Sequence, residues 1–182
     1  MNYRQTVREI ALDQYGYVTT GHAAKVGVPA VELRKLAARG ALTNIAYGLY
    51  RLTDARPTEY DQFAEALLRV GDGAYLRSDA VLALHHLALV NPRRIRVGAT
   101  RRVRAALPEF IDLREQEMPE EDLTLYEGLR STTVARALLD CRGQVMTERL
   151  LDAAKQAKAD GLLTRREYAR VRRALIQQTQ VA

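Results

Sequence analysis

One cysteine, three histidines and no tryptophan leave this 182-residue sequence little material for disulfide or metal chemistry. Cys141 has no second cysteine to pair with, so no intramolecular bridge can form. No cysteine pair or Cys/His cluster has zinc-site spacing. Neither a metal nor any other cofactor is therefore expected, and a reducing cytoplasm is the expected compartment. Long apolar runs are missing as well. The most apolar stretch, Ala80 to Val90, is interrupted by His85 and His86, and Met1 to Thr6 leads into no apolar segment. Neither a membrane span nor a signal peptide fits that pattern. A phosphate-binding loop is also lacking: Gly71-Asp72-Gly73 runs into Ala74-Tyr75-Leu76 without a helix-opening glycine or a Lys-Ser/Thr pair, which argues against ATP or dinucleotide use. No internal repeat and no low-complexity tract interrupts the chain.

What is present is an ordinary globular composition, 47% hydrophobic and 27% charged, long enough for one domain or two small ones. Lys and Arg number 28 against 22 Asp and Glu, a net charge of +6 that favours polyanionic partners. Residues 1–56 carry eight cations against four acids. Farther on, the charges fall into blocks: six arginines between Arg93 and Arg104, then eight acids between Glu109 and Glu127.

Apolar spacing at Tyr3, Val7, Ile10 and Ala11 predicts a first helix over 2–14, stopped by Tyr15-Gly16. Thr19 and Thr20 offer N-cap hydroxyls to a short helix through Ala23, Ala24 and Val26, which Gly27 ends. Pro29 opens the next helix, whose apolar face is Leu33, Leu36 and Ala37 and whose terminator is Gly40. With Leu33 inward, Val31, Lys35 and Ala38 point away and Arg34 and Arg39 flank them. Small side chains let such a helix approach a surface closely while cations reach from its edges, a combination suited to the major groove of DNA. A solvated helix face would carry the same residues. Leu42 to Ile45 and Leu49 to Leu52 read as two strands around Ala46-Tyr47-Gly48. A helix-turn-helix followed at once by a hairpin is a winged helix, with Tyr47 and Gly48 at the wing tip and Tyr50 as a core aromatic.

Turn composition at Thr53 to Pro57 predicts a boundary that leaves a winged helix-turn-helix DNA-binding domain at 1–56 and a mixed α+β domain at 57–182. The overall class is α+β, mainly helical. The second domain is expected to begin with a helix capped by Thr58 and running through Leu68. A strand at 74–76 and a buried helix from Ala80 to Leu89 come next. Strands are predicted at 94–97, 110–113 and 123–126, and helices at 132–141, 145–159 and 164–177.

Few residues there read as chemistry. His85 and His86 diverge on a helix and suit a core edge better than a metal. Ser131, with no nucleophile-elbow glycines, reads with Thr132 as a helix cap, and Cys141 reads as packing. Glu120-Glu121-Asp122 are solvated loop acids or, in principle, a divalent-ion site. Arg93, Arg94, Arg96, Arg101 and Arg102 are a second nucleic-acid surface, a dock for an acidic partner, or cations neutralised by the acidic block that follows. Arg165, Arg166, Arg170, Arg172 and Arg173 on the last helix pose the same choice.

Gly16-Tyr17-Val18-Thr19-Thr20, Gly27-Val28, Leu33-Arg34-Lys35-Leu36, Arg39-Gly40 and Gly48-Leu49-Tyr50-Arg51-Leu52 together resemble the winged helix of AbiEi-type antitoxins. Downstream, Arg77-Ser78-Asp79-Ala80, Asn91-Pro92-Arg93-Arg94-Ile95, Gly128-Leu129-Arg130-Ser131-Thr132-Thr133 and Arg136-Ala137-Leu138-Leu139-Asp140 are similar to that family's antitoxin domain. The resemblance implies a cytoplasmic bacterial antitoxin of a type IV toxin-antitoxin system. Its winged helix would bind inverted repeats in its own promoter as a transcriptional repressor, with two copies on repeated half-sites. Its C-terminal domain would counter a nucleotidyltransferase-like toxin, with or without binding it directly. By position, Ala30, Val31, Arg34 and Lys35 would meet base edges while Thr19, Thr20, His22 and Arg39 position phosphates. Tyr47 stands at the wing tip where a basic residue is expected. The competing readings are a general nucleic-acid-binding adaptor and a nucleic-acid enzyme working through Glu120, Glu121 and Asp122; the leading reading is not an enzyme.

Overall fold

The computed structural model describes residues 2–179, which form two compact units, one ending at Gly71 and the other beginning at Asp72. In the first, helix α1 (Tyr3–Leu12) is capped by Asn2, and Val7 and Ala11 on its inner face are buried. A short strand β1 (Tyr17–Thr19) leads into α2 (Thr20–Lys25) and α3 (Ala30–Ala38), followed by the hairpin β2 (Leu42–Ala46) and β3 (Leu49–Leu52). The sheet order is β1-β3-β2, with β3 central and antiparallel to both neighbours. Register places Val18 and Asn44 on either side of Tyr50. Val7, Ala11, Val18, Ala23, Val28, Leu33, Leu36, Leu42, Tyr50 and Leu52 close into one apolar core, so Tyr50 is the core aromatic the sequence suggested.

The boundary expected after Arg56 lies instead at Gly71, because α4 (Asp61–Val70) packs on the first sheet. It buries Phe63, Ala64 and Ala66. Polar contacts then fix it: Arg51 of β3 pairs with Asp61, and the Tyr17 hydroxyl donates to Glu65 at 3.2 Å. Arg69 bonds Glu65 at 2.8 Å and the carbonyl of Ile45 at 3.3 Å. Burial pushes the Tyr17 phenol up to about 12, with Glu65 adding to the rise, so it stays a donor at neutral pH. The N-cap of α4 is Tyr60 rather than Thr58, whose hydroxyl bonds Asp61 at 2.6 Å.

The second unit is built on a mixed five-stranded sheet, ordered β6-β5-β4-β8-β7. Its strands are β4 (Ala74–Leu76), β5 (Ile95–Ala99), β6 (Ile111–Glu115), β7 (Leu123–Tyr126) and β8 (Leu129–Thr132). The parallel pairs are β4 with β8 and β5 with β6. Tyr75 lies so close over Gly98 that a Cβ there would fall 2.1 Å from the ring, and its hydroxyl donates to the carbonyl of Gln116 at 2.8 Å. Helices α5 (Asp79–Leu84), α6 (Val134–Asp140), α7 (Thr147–Ala159) and α8 (Arg165–Thr179) complete the unit. Leu82, Leu84, Leu138, Leu150 and Leu175 are fully buried among them.

Helices occupy fewer than half of the described residues, so the fold is α+β without being mainly helical. Helix α5 stops at His85 rather than Leu89, because His86, Ala88 and Leu89 take left-handed backbone conformations. Ser131 and Thr132 belong to β8 and cap nothing; the cap of α6 is Thr133, whose hydroxyl accepts from the amide of Arg136 at 3.3 Å. None of the helices among the described residues is long and apolar enough to cross a membrane.

Candidate nucleic-acid interface

Strand β1, two helices and a hairpin position the residues singled out in the first unit. Thr19 ends β1 and caps α2, its hydroxyl accepting from the amide of His22 at 3.0 Å. Gly27, at φ +77°, turns the chain so that the Val28 amide returns to the carbonyl of Ala23 at 2.9 Å and the Val28 side chain enters the core. Helix α3 then leaves with Leu33 and Leu36 inward, held by the same core.

The other side of α3 is what the 100° spacing required. Ala30, Val31, Arg34, Lys35, Ala38 and Arg39 are all exposed, and Val31 retains 42% of its surface. No side-chain partner holds Arg34 or Arg39 among the described residues. Lys35 differs: its ammonium sits 2.8 Å from Glu32 on the first turn of the same helix. Such an exposed pair exchanges readily for a phosphate or a base edge, since its own contribution is small.

The wing begins beside α2. The amide of Thr20 donates to the carbonyl of Gly48 at 2.9 Å, joining the helix start to the hairpin turn through backbone. Gly48 has φ +67°, and a Cβ there would meet the Thr20 hydroxyl at 2.9 Å. Asn44 and Ala46 flank an irregularity in the β2–β3 register, and the Asn44 amide donates to the carbonyl of Ala46 at 3.2 Å. These contacts project Tyr47 outward, fully exposed at 106%. Its ring and hydroxyl suit sugar and phosphate contact. Thr20 and His22 are half-buried at the start of α2, so they present edges rather than whole side chains.

Sequence reasoning did not find the polar contacts that join α4 to the sheet and to the base of the wing. Arg51 stacks its guanidinium 5.2 Å from the Tyr17 ring and pairs with Asp61, while Arg69 holds the β2 end of the wing at Ile45. The signal was visible in the helical spacing of Asp61, Glu65 and Arg69, which puts two acids and a cation on one face.

The arginine block of the second unit does not form one free surface. Arg96 is half-buried between Asp79 and Asp112, 3.5 Å from each, and donates to Gln144. It is neutralised within the fold and is withdrawn from the surface suggested for Arg93, Arg94, Arg96, Arg101 and Arg102. Arg94 faces Glu109 at 3.3 Å and Arg101 faces Asp72 at 3.8 Å, both in solvent. Arg93 and Arg102 are exposed. The three acids expected in a loop form a 3-10 turn, Glu120–Asp122, in which Asp122 is bound by Arg136 at 2.8 Å and Glu120 by Arg130 at 3.2 Å. Cys141 is fully buried. Burial, with Asp79 nearby, pushes its thiol up to about 12.

Comparison with known proteins bears chiefly on the first unit. Residues 5–53 match the family of transcriptional regulators described as AbiEi antitoxins, a span that ends at the wing and omits α4. Among solved structures, the crystal structure of the RV2827C protein from Mycobacterium tuberculosis is similar with a TM-score of 0.51. It shares 16% identity, over 94% of this chain and 71% of that one, a likeness of fold alone. No curated protein matches the sequence.

Proposed function

We propose that this protein, whose residues 5–53 match the family of AbiEi antitoxin transcriptional regulators, represses its own operon by binding inverted repeats in the promoter. In this reading α3 enters the major groove, and the second unit neutralises a cognate nucleotidyltransferase-like toxin. The observation that supports it most is the face of α3. Exposed small residues Ala30, Val31 and Ala38 lie between Arg34, Lys35 and Arg39, and a fully exposed Tyr47 stands on the neighbouring wing. The small residues permit close approach to base edges, and the cations supply bidentate and phosphate contacts.

The Thr19 hydroxyl is committed to the cap of α2 and the Thr20 amide to the wing, so this helix positions rather than reads. A single domain of this size buries modest surface on DNA, and two copies on repeated half-sites supply the specificity that repression needs. The protein acts as a binder and not as an enzyme, in the cytoplasm, without a cofactor.

The test is a base-by-base binding profile of Arg34→Ala on duplexes carrying the upstream DNA. A bidentate guanine contact predicts a loss of about 1–3 kcal/mol, with preference relaxed at one base pair. Uniform weakening across all sequences would make Arg34 a phosphate ligand, and no weakening would remove α3 from the interface.

A further inference from the structure

The last two helices carry a feature that DNA reading by α3 does not use. A short turn at 160–164 joins α7 to α8, and Leu150, Ala153, Ala154 and Ala157 of α7 are buried, as are Val171 and Leu175 of α8. The outer face of α8, with Lys158 of α7 beside it, leaves an open groove of about 550 Å³, lined chiefly by Lys158, Arg165, Tyr168, Arg172, Arg173 and Ile176.

Its charge is uncompensated. Arg94, Arg96, Arg101, Arg130 and Arg136 of the same unit each face a carboxylate. Lys158, Arg165, Arg172 and Arg173 form no ion pair among the described residues. Glu167, on the first turn of α8, is held by the amide and hydroxyl of Thr164 at 2.8 and 2.7 Å, which keeps its carboxyl below the usual range. It serves the start of α8 rather than the groove.

Two chemistries use a cationic groove, and the lining separates them. Single-stranded nucleic acid needs an open aromatic face on which bases stack. Here Lys158 already lies 4.8 Å over the ring of Tyr168. Apart from Gln177, the remaining lining, Tyr168 with Ala169 and Ile176, is an apolar strip bordered by cations. A strip of that kind along a helix receives the apolar side of an amphipathic segment, with its flanking carboxylates meeting the arginines. We infer that the α7–α8 groove docks an acidic amphipathic segment of a protein partner, an interaction surface separate from the DNA-reading face.

The experiment is fluorescence anisotropy of the full-length protein with a labelled synthetic peptide of about 15 residues, leucines on one helical face and glutamates on its flanks. An otherwise identical peptide with glutamine for glutamate, and a labelled oligothymidylate, are measured alongside. The acidic peptide is expected to bind, and Arg172→Ala combined with Arg173→Ala to weaken it by about tenfold, equivalent to about 1.4 kcal/mol. Both arginines are exposed, so circular dichroism of that variant should be unchanged. Arg34→Ala should leave peptide binding intact, which separates this result from any failure of the DNA reading. Failure of the acidic peptide to bind, equal binding of the glutamine peptide, or indifference to the double variant would each overturn the proposal. Tighter binding of the oligothymidylate with the same dependence on Arg172 and Arg173 would overturn it in favour of nucleic acid.

Discussion

The amide of Thr20, first residue of α2, donates to the carbonyl of Gly48, at the turn of the wing, over 2.9 Å. Helix-turn-helix and hairpin are therefore one framework, and the position of the wing tip is set by backbone. Gly48→Ala would place a methyl 2.9 Å from the Thr20 hydroxyl at a backbone conformation of φ +67°. The variant should lose about 1–3 kcal/mol in urea unfolding. Adding Thr20→Ala should restore the part due to the clash and leave the part due to φ. An unchanged midpoint in the single variant would contradict this account of the turn.

Helix α4 is part of the first unit, so the chain cut after Gly71 should unfold cooperatively. The chain cut after Arg56 should be less stable by about 2 kcal/mol or more, since burial of a Phe side chain such as Phe63 contributes about 1.5–3 kcal/mol. Equal urea midpoints for the two fragments would show that α4 is dispensable. Arg51→Ala in the longer fragment should fall between them.

Burial lowers the imidazole of His85 to about 4, and its ring lies 4.1 Å from that of Tyr126. In the unfolded chain it titrates near the usual ~6.5. Between those values the unfolded state binds more protons, so stability rises with pH across the window. The contribution is complete above about pH 6.5 and is lost as pH falls towards about 4. Urea midpoints should therefore drop on acidification from about pH 7 to about pH 4.5. His85→Gln should flatten that slope, and an unaltered slope would place the titration elsewhere.

Cys141 should resist thiol reagents in the native protein, because its sulfur is fully buried and its pKa is pushed up to about 12. Ellman titration near neutral pH should find one thiol only after denaturant is added. Rapid native labelling would show that the core around α6 opens readily.

Much of the first unit was legible because its signals are local. Gly16, Gly27, Gly40 and Gly48 all take positive φ and mark the turns, and the 3.6-residue spacing of Leu33 and Leu36 fixes the outward face of α3. Strand β1 escaped notice because three residues carry no period; it exists through its pairing with β3. The domain boundary was misplaced for a related reason. Thr53 to Pro57 does turn, but only the contacts of Arg51 with Asp61 and of Tyr17 with Glu65 show where the following helix packs. In the second unit, Ser131 and Thr132 looked like a helix cap because Ser and Thr suit that position, and pairing with β7 overrides that preference. The apolar run from Ala80 to Leu89 carries no mark of the left-handed residues that end α5. The arginine block was legible as charge, whereas the placement of Arg96 between Asp79 and Asp112 depends on β5 lying beside β6.

Tyr47 offers a contact probe that folding does not confound. Its side chain is fully exposed, so Tyr47→Ala should leave the thermal midpoint within experimental error. Binding to upstream DNA should weaken if the wing touches the duplex. A shifted midpoint would mean that the wing tip supports the fold.

The central claim is sequence-specific binding of the promoter by the first unit, and a titration of full-length protein on its own upstream DNA against a scrambled duplex, at two salt concentrations, tests it most directly. Generic attraction to phosphates falls steeply with salt and ignores sequence. The account predicts preference for the upstream duplex by about a thousandfold or more, retained at the higher salt and reduced by Arg34→Ala. Equal affinity for both duplexes, collapsing together as salt rises, would contradict it.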